Sequence, residues 1–477
     1  LLSNAINFVQ SPLIQGPPQQ ALIRFFQYCI LSRSKAQSLS YVSLLKSLLS
    51  CVPDVSTNKI GRTSIAQCIA GCAAKAADKE VSTTVSDFLM NVREKATGNI
   101  VLEVSLLSVG EIGRTRDLAG HAELEQVIFN AFESKDDHVR QAASFALGNA
   151  SAGNMTKYIP IIVGWTKSKP AQIYPLLSSL KETISTHSSD RRSMQAFLPY
   201  LDVVVPILAE NAESKDEGTR FMVAECVGRL LVIETRKMMP MLKEMSKAKN
   251  PRVREGAVTA LRFCLSPLMS YDVLQNEMDN FVPLLKDVDL EVRRQAFLTI
   301  NGMFRVNADV IDRDLCKKIL PLIYAETKPN KDLIHEVDFG AFKQIVDDGL
   351  PLRKSAFQCL GTMLQTVHHR LDMQEYVSFV QQGLTDQEDI QITTYQTFRD
   401  IATFHGSAIL EILDGLSKTI MSGVKNHLKN AKLTGQEAER AKDCLMACVR
   451  ALDTFNKIPG VDICKEYKLF FKQVAST

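Results

Sequence analysis

At 477 residues the chain exceeds the size at which one hydrophobic core stops growing, which leaves either several domains or one repeat array. Its composition is 45% hydrophobic with only 7% aromatic residues and a single tryptophan, Trp165, and this suits stacked helices built from Leu, Ile, Val and Ala layers. A net charge of +3 on 56 basic and 53 acidic residues lacks the basic excess of a nucleic-acid binder, and no run reaches the roughly 18 apolar residues of a membrane span.

The opening residues carry no secretory-signal pattern, and the start at Leu1-Leu2-Ser3 without methionine suggests a piece of a longer helical array. Helical periodicity appears at 20–31 behind Pro17-Pro18, at 40–51, at 63–76, at 81–96 and in the nearly all-apolar stretch 100–109. Of the eleven cysteines, Cys68 and Cys72 stand four apart, as do Cys444 and Cys448. Neither pair has zinc spacing, and the expectation is buried reduced thiols in a cytoplasmic and nuclear protein.

The next unit is the clearest. A helix at 124–132 leads through Ser134-Lys-Asp-Asp-His138 into Val139-Arg-Gln-Ala-Ala143, where Asp136 or Asp137 can cap the second helix. Val139, Ala142, Ala143 and Leu147 form its buried stripe, and Arg140 leaves the stripe to reach an aspartate of an adjacent repeat. The same grammar returns at Ser214–Gly228, Asn250–Val258 and Asp289–Phe297, with arginines at 220, 254, 293 and later 353. Between Arg140 and Arg220 an intermediate unit at 170–184 has Tyr174 in the arginine position, and after Arg353 the equivalent is Gln391. Paired helices repeating at this period are the signature of HEAT repeats. The fold class is therefore all-α, a HEAT-repeat superhelical solenoid with one inserted β-hairpin: an array over 1–327, the insertion at 328–349, and C-terminal repeats and capping helices over 350–477. Those last helices, near 408–429, 436–456 and 463–474, should show a more polar outer face. Lys425, Lys429, Lys432, Lys442, Lys457, Lys465, Lys468 and Lys472 make that end basic, which a solvated face explains, a docking surface for an acidic partner being the alternative.

The insertion shows in the spacing. Arg220 to Arg254 is 34 residues and Arg254 to Arg293 is 39, but Arg293 to Arg353 is 60. About twenty residues are surplus, and they lie between Lys328 and Gly349. Alternation of Leu333, His335 and Val337 with Ile334, Glu336 and Asp338, then a second extended run beyond Gly340, suits a projecting hairpin. A short helix over 330–337 is the alternative. A two-stranded hairpin is marginal alone in water, so it should be anchored on the array or completed by a partner, with Phe339 and Phe342 as aromatic anchors.

Short strings that suggest chemistry lack their context. Asp338-Phe339-Gly340 matches the kinase magnesium triplet without any other kinase motif, and is read as a turn. His368 and His369 with Asp372 have no further ligand spaced to join them, and solvent exposure is expected. Gly110-Glu-Ile-Gly113 reads as a helix terminus with glycine at its C-cap. The chain is read as a non-enzyme, with no catalytic residue, metal or cofactor. The Asp and Arg positions are read as a structural ladder between repeats.

Leu333-Ile-His-Glu-Val-Asp-Phe-Gly-Ala-Phe-Lys343 followed by Val346-Asp-Asp-Gly-Leu-Pro-Leu-Arg-Lys-Ser-Ala-Phe357 resembles the cullin-associated, neddylation-dissociated protein family, HEAT-repeat exchange factors of cullin-RING ubiquitin ligases. Further matching strings are Ser105-Leu-Leu-Ser-Val-Gly-Glu-Ile-Gly113 with Asp117-Leu-Ala-Gly120, Ser144-Phe-Ala-Leu-Gly148, Glu217-Gly-Thr-Arg220, Val223-Ala-Glu-Cys-Val-Gly228 and Asp289-Leu-Glu-Val-Arg-Arg294. Together they run in order from about Ile100 to Ile401. The resemblance implies the C-terminal portion of a regulator that binds an unneddylated cullin, with its RING subunit, at the cullin N-terminal domain. It also implies that Val337, Asp338, Phe339, Gly340, Ala341, Phe342 and Lys343 contact the surface where the substrate-receptor adaptor docks, displacing it to promote receptor exchange. The N-terminal portion of the same protein, as a separate chain, is a further candidate partner; nucleic acid and membrane are not. The rival expectation is a general HEAT-repeat scaffold or transport-receptor-like protein that binds through its concave groove.

Overall fold

The computed structural model describes residues 1–32, 40–95, 98–338, 340 and 343–475. It divides into two compact units, Leu1–Glu234 and Thr235–Thr477. In the first lie α1 (Leu2–Val9), α2 (Pro17–Leu31), α3 (Tyr41–Leu49), α4 (Lys59–Ala73), α5 (Asp78–Glu94), α6 (Asn99–Gly113), α7 (Leu124–Ala131), α8 (Asp137–Gly153), α9 (Met155–Ser168), α10 (Ile173–His187), α11 (Arg191–Phe197), α12 (Leu201–Asn211) and α13 (Glu217–Ile233). The helices α4, α6, α8, α10 and α13 lie side by side in that order, and α3, α5, α7, α9 and α12 form the second layer that pairs with them.

Close approach in the first row comes from small residues. A Cβ at Gly110 would sit 3.0 Å from Ala146 Cα, and one at Gly113 would sit 3.1 Å from Ala150 Cα, so α8 crosses α6 closely enough that a larger residue at either position would crowd the backbone of α8. Thr183 on α10 donates to the Gly148 carbonyl of α8 at 2.9 Å, continuing the seam. This corrects the reading of Gly110 and Gly113 as a glycine C-cap. Both are helical, the C-cap is Arg114 in right-handed conformation, and helix packing is what requires them. The helix expected from 81 begins earlier, at Asp78, whose carboxylate and that of Glu80 occupy the positive first turn.

The second unit contains α14 (Thr235–Ser246), α15 (Pro251–Phe263), α16 (Tyr271–Glu277), α17 (Leu290–Asn307), α18 (Arg313–Ala325), β1 (Ile334–Asp338), β2 (Lys343–Asp347), α19 (Leu350–Val367), α20 (Met373–Val380), α21 (Glu388–Phe404), α22 (Gly406–Asn430), α23 (Gln436–Phe455) and α24 (Lys465–Ala475). Its inner row is α15, α17, α19, α21 and α23. The hairpin therefore interrupts the turn between α18 and α19, the two helices of one repeat. Both units have the same grammar. Prolines that sequence reading had passed over mark the other layer, inside α9 (Pro160), α12 (Pro206), α14 (Pro240) and α18 (Pro321). Ten of the eleven cysteines are buried, Cys29 is half-buried, and all are free thiols.

The arginine positions obey one geometric rule. An Asn or Asp side chain caps the inner helix, at Asn58, Asp136, Asp216, Asn250 and Asp289, and arginine stands four residues after the cap. Because helical side chains tilt toward the N-terminus, each guanidinium folds back onto the turn that enters the helix. Nη1 donates to the carbonyl six residues earlier: Arg62 to Ser56 at 2.8 Å, Arg140 to Ser134 at 2.6 Å, Arg220 to Ser214, Arg254 to Ala248 and Arg293 to Asp287, each at 2.9 Å. Arg62 belongs to the series although sequence reading missed it. The turn before it, Ser56-Thr57-Asn58-Lys59, carries no acidic residue, unlike the turns before Arg140, Arg220 and Arg293.

A second set of bonds joins repeats. Arg254 reaches Asp287 at 2.6 Å, thirty-three residues on; Arg293 Nε lies 3.4 Å from Glu326; and Arg62 pairs with buried Glu103 at 2.9 Å. Arg140 departs from expectation, since its ion pair is with Asp137 of its own helix. Tyr174 makes no rung either. It is 42% exposed, and its ring passes over Gly218. Gln391, by contrast, fills the arginine position, donating to the Asp386 carbonyl at 2.6 Å.

Candidate partner-binding site

The hairpin leaves and rejoins the array at two of these rungs. Glu326, the partner of Arg293, stands in the place that Asp287 holds for Arg254. Asp347, at the end of β2, is six residues before Arg353, where the other rungs have a main-chain acceptor. Here the Asp347 carboxylate itself takes the bond, from Arg353 Nη2 at 2.9 Å, while Arg353 also holds Asp386 of the next repeat through Nε at 2.8 Å and Nη2 at 2.9 Å. All three side chains are buried, at 3%, 9% and 6% exposure for Arg353, Asp347 and Asp386. Burial opposes the charge of Arg353, but the two carboxylates prevail and hold its guanidinium above its ordinary value. Arg353 Nη1, which takes the carbonyl elsewhere, is buried without a partner among the described residues.

Above this foot, Asn330 caps a short turn at Lys331–Leu333, and the strands pair antiparallel with Ile334 opposite Asp347 and Asp338 opposite Lys343. The Asp348 amide extends the ladder by donating to the Leu333 carbonyl at 3.0 Å. The short-helix alternative for 330–337 is thereby set aside, because that helical turn ends at Leu333. Gly340 has φ +77°, a left-handed conformation suited to glycine, and donates its N–H to Asp338 Oδ1 at 2.7 Å. Asp338 and Gly340 of the Asp-Phe-Gly string thus bond to each other where β1 ends, and Phe339 lies outside the described residues. Of the residues expected to contact a partner, Val337, Asp338, Gly340 and Lys343 are placed on the strand ends and turn. Phe339, Ala341 and Phe342 lie outside the described residues.

Strand alternation sorts the side chains. One face carries Ile334, Glu336, Asp338, Lys343, Ile345 and Asp347; the other carries His335, Val337, Gln344 and Val346. On the first, Lys343 pairs with Glu336 at 2.6 Å, and Ile345 beside them is 74% exposed. On the second, Val337 and Val346 are half-buried, and His335 Nδ1 lies 3.6 Å from Asp348, a pair that is ionic only when the ring is protonated. Sequence reading singled out the tip and missed Ile345, whose signal was its place in the alternation opposite Glu336. Such a face can offer apolar and charged contacts to a protein but no nucleophile paired with a base. The two histidines elsewhere also hold no metal cluster among the described residues. His369 is exposed, as expected, but His368 is half-buried, stacked on Phe404 and 3.1 Å from His405 Nε2, and Asp372 caps α20.

Comparison with known proteins agrees with this architecture. A family model described as TATA-binding protein interacting (TIP20) matches residues 310–475, the part that contains the hairpin. Cullin-associated NEDD8-dissociated protein 1 of Arabidopsis thaliana is 32% identical over 476 residues, covering 98% of this chain and 38% of the relative. A protein of Emericella nidulans named as the C-terminal part of cullin-associated NEDD8-dissociated protein 1 is 32% identical over 317 residues, 65% of this chain and 30% of that one. Among solved structures, importin beta superposes with a TM-score of 0.53 at 13% identity, covering all of this chain and 66% of that one, which supports the HEAT-repeat fold alone. The curated relatives are named for an association and not for a reaction, and this chain spans well under half of their length. With identity running through both units and across the hairpin, the chain belongs to the cullin-associated NEDD8-dissociated protein family.

Proposed function

We propose that the chain is a non-enzymatic regulator that binds an unneddylated cullin, in complex with its RING subunit, at the cullin N-terminal domain. In this reading the hairpin occupies the surface on which the substrate-receptor adaptor docks. Regulator and adaptor then each weaken the other's binding, and this reciprocal coupling speeds receptor exchange. The name shared by the relatives, which joins association with cullin to dissociation of NEDD8, supports the choice of partner. The observation that carries the mechanism is a hairpin with an exposed face at Ile345, set on a buried Arg353–Asp347–Asp386 foot. A projecting element must be held in one direction to compete for a surface, and buried charge pairs hold it.

The test replaces 338–346 with a short Gly/Ser linker and measures the rate at which adaptor leaves a cullin–RING complex. The intact chain should accelerate release, and the variant should bind cullin without doing so. Equal acceleration by both would overturn the hairpin mechanism, and failure of the intact chain to bind cullin would overturn the choice of partner.

A further inference from the structure

The C-terminal end, expected to present a polar outer face, presents a groove as well. Helix α24 is pinned across α22 and α23: the Tyr467 amide donates to Asp414 Oδ1 at 3.0 Å, and its hydroxyl donates to the Leu452 carbonyl at 3.1 Å. Beyond the part it covers, a groove of about 470 Å³ remains open, lined by Met421, Val424 and Leu428 of α22 and by Leu445, Val449 and Leu452 of α23. Val449 is 52% exposed and Leu428 36%, with Met446 at 54% on the adjoining surface. The lining segments run seven residues along each helix, about 10 Å at 1.5 Å per residue. That is two turns of a third helix.

The rim is basic. Lys418, Lys425 and Lys429 stand seven and four residues apart on α22, which places them on one stripe flanking the lining residues. Lys442 stands one turn before Leu445 on α23. All four are exposed, and Lys425 lines the groove itself. No carboxylate lines the groove among the described residues, and Asp453 of α23 is engaged by Lys457 at 2.7 Å. An apolar floor between ammonium groups is complementary to one kind of occupant, a helix with an apolar stripe flanked by carboxylates.

We infer that this groove, which does not include the hairpin, binds a short acidic amphipathic helix of a partner protein. The probe is a labelled helical peptide with leucine at i, i+3, i+4 and i+7 and glutamate on both flanks, titrated against the 477-residue chain by fluorescence polarisation. A control peptide carries lysine in place of glutamate. The acidic peptide should bind and the basic one should not, with affinity falling as salt is raised. Lys425→Glu combined with Lys442→Glu should weaken binding at least about tenfold, as should Val449→Asp. The lysine substitutions lie on the surface, and an unchanged thermal melt shows that the array is intact. Equal binding of the two peptides, no binding of either, or undiminished binding by the lysine variant would overturn the inference. So would retention by anionic lipid vesicles with no binding of the acidic peptide.

Discussion

Two rungs of the second unit both set arginine four residues after the cap of its helix, Asn250 for Arg254 and Gly349 for Arg353, and they differ in what the guanidinium holds on the entering turn. At Arg254, Nη1 takes the Ala248 carbonyl while Nε and Nη2 clasp Asp287 of the next repeat. At Arg353 the clasp on Asp386 is the same, thirty-three residues on, but the entering turn has become a hairpin, and its last strand residue supplies a carboxylate in place of a carbonyl. An ordinary rung joins two repeats. The rung at Arg353 joins three things, its own helix, the next repeat and the hairpin, and it leaves Nη1 buried without a partner among the described residues.

The largest effect should come from breaking the three-way rung. Arg353→Ala strands two buried carboxylates and should cost about 3–5 kcal/mol in urea unfolding. Hydrogen exchange should show faster exchange in β2 and at the start of α21 together, which an isolated defect in α19 would not produce.

A smaller and pH-dependent loss is expected at the ordinary rung. Burial raises the carboxyl of Asp287, but its bonds to Arg254 and to the Asp289 amide outweigh this and hold it below the usual aspartate value. Its contribution is therefore present above the unfolded-state value of about 3.9 and is lost as pH falls through the lower folded value. Asp287→Asn should destabilise by about 1–3 kcal/mol at neutral pH, and the gap to the parent protein should close in acid. Glu326, at the foot of the hairpin, should titrate in the opposite sense. Burial raises its carboxyl beyond what Arg293 can offset, so its contribution is present below the ordinary glutamate value and is lost as pH rises through the folded value. Carboxyl chemical shifts measured against pH separate the two directly.

The smallest stability effect belongs to the hairpin face. Ile345→Ser removes a side chain that is already 74% exposed and should change unfolding free energy by less than about 0.5 kcal/mol. It should nevertheless slow adaptor release if the face is a contact surface. A variant that leaves release untouched would place the competition elsewhere on the hairpin.

The helical array was legible because helix periodicity and capping are local. Asp136, Asp216 and Asp289 announce their helices from within a few residues, and the surplus between Arg293 and Arg353 follows from counting. Strand character at 334–338 and 343–347 was legible from alternation. The foot was not, because Asp347 reads as one of two aspartates in a turn, and its carboxylate matters only once Arg353 has folded back over it. The same holds for Gly110 and Gly113. Their purpose depends on Ala146 and Ala150, which lie more than thirty residues away and approach them only when the rows stack. The open groove at the C-terminal end escaped notice for the converse reason: Val449 and Leu428 have ordinary helical spacing, and only the placement of α24 decides that they stay uncovered.

The two rungs that bracket the hairpin also define a graft point. Everything between Glu326 and Asp347 hangs from two charged anchors, Arg293 and Arg353, that belong to successive inner helices α17 and α19. An engineer could exchange that span for another loop, hairpin or small domain while retaining both acids, and the stacking surfaces of the repeats would be unchanged. The same port could carry different recognition elements on one scaffold, provided that each ends in an aspartate six residues before Arg353.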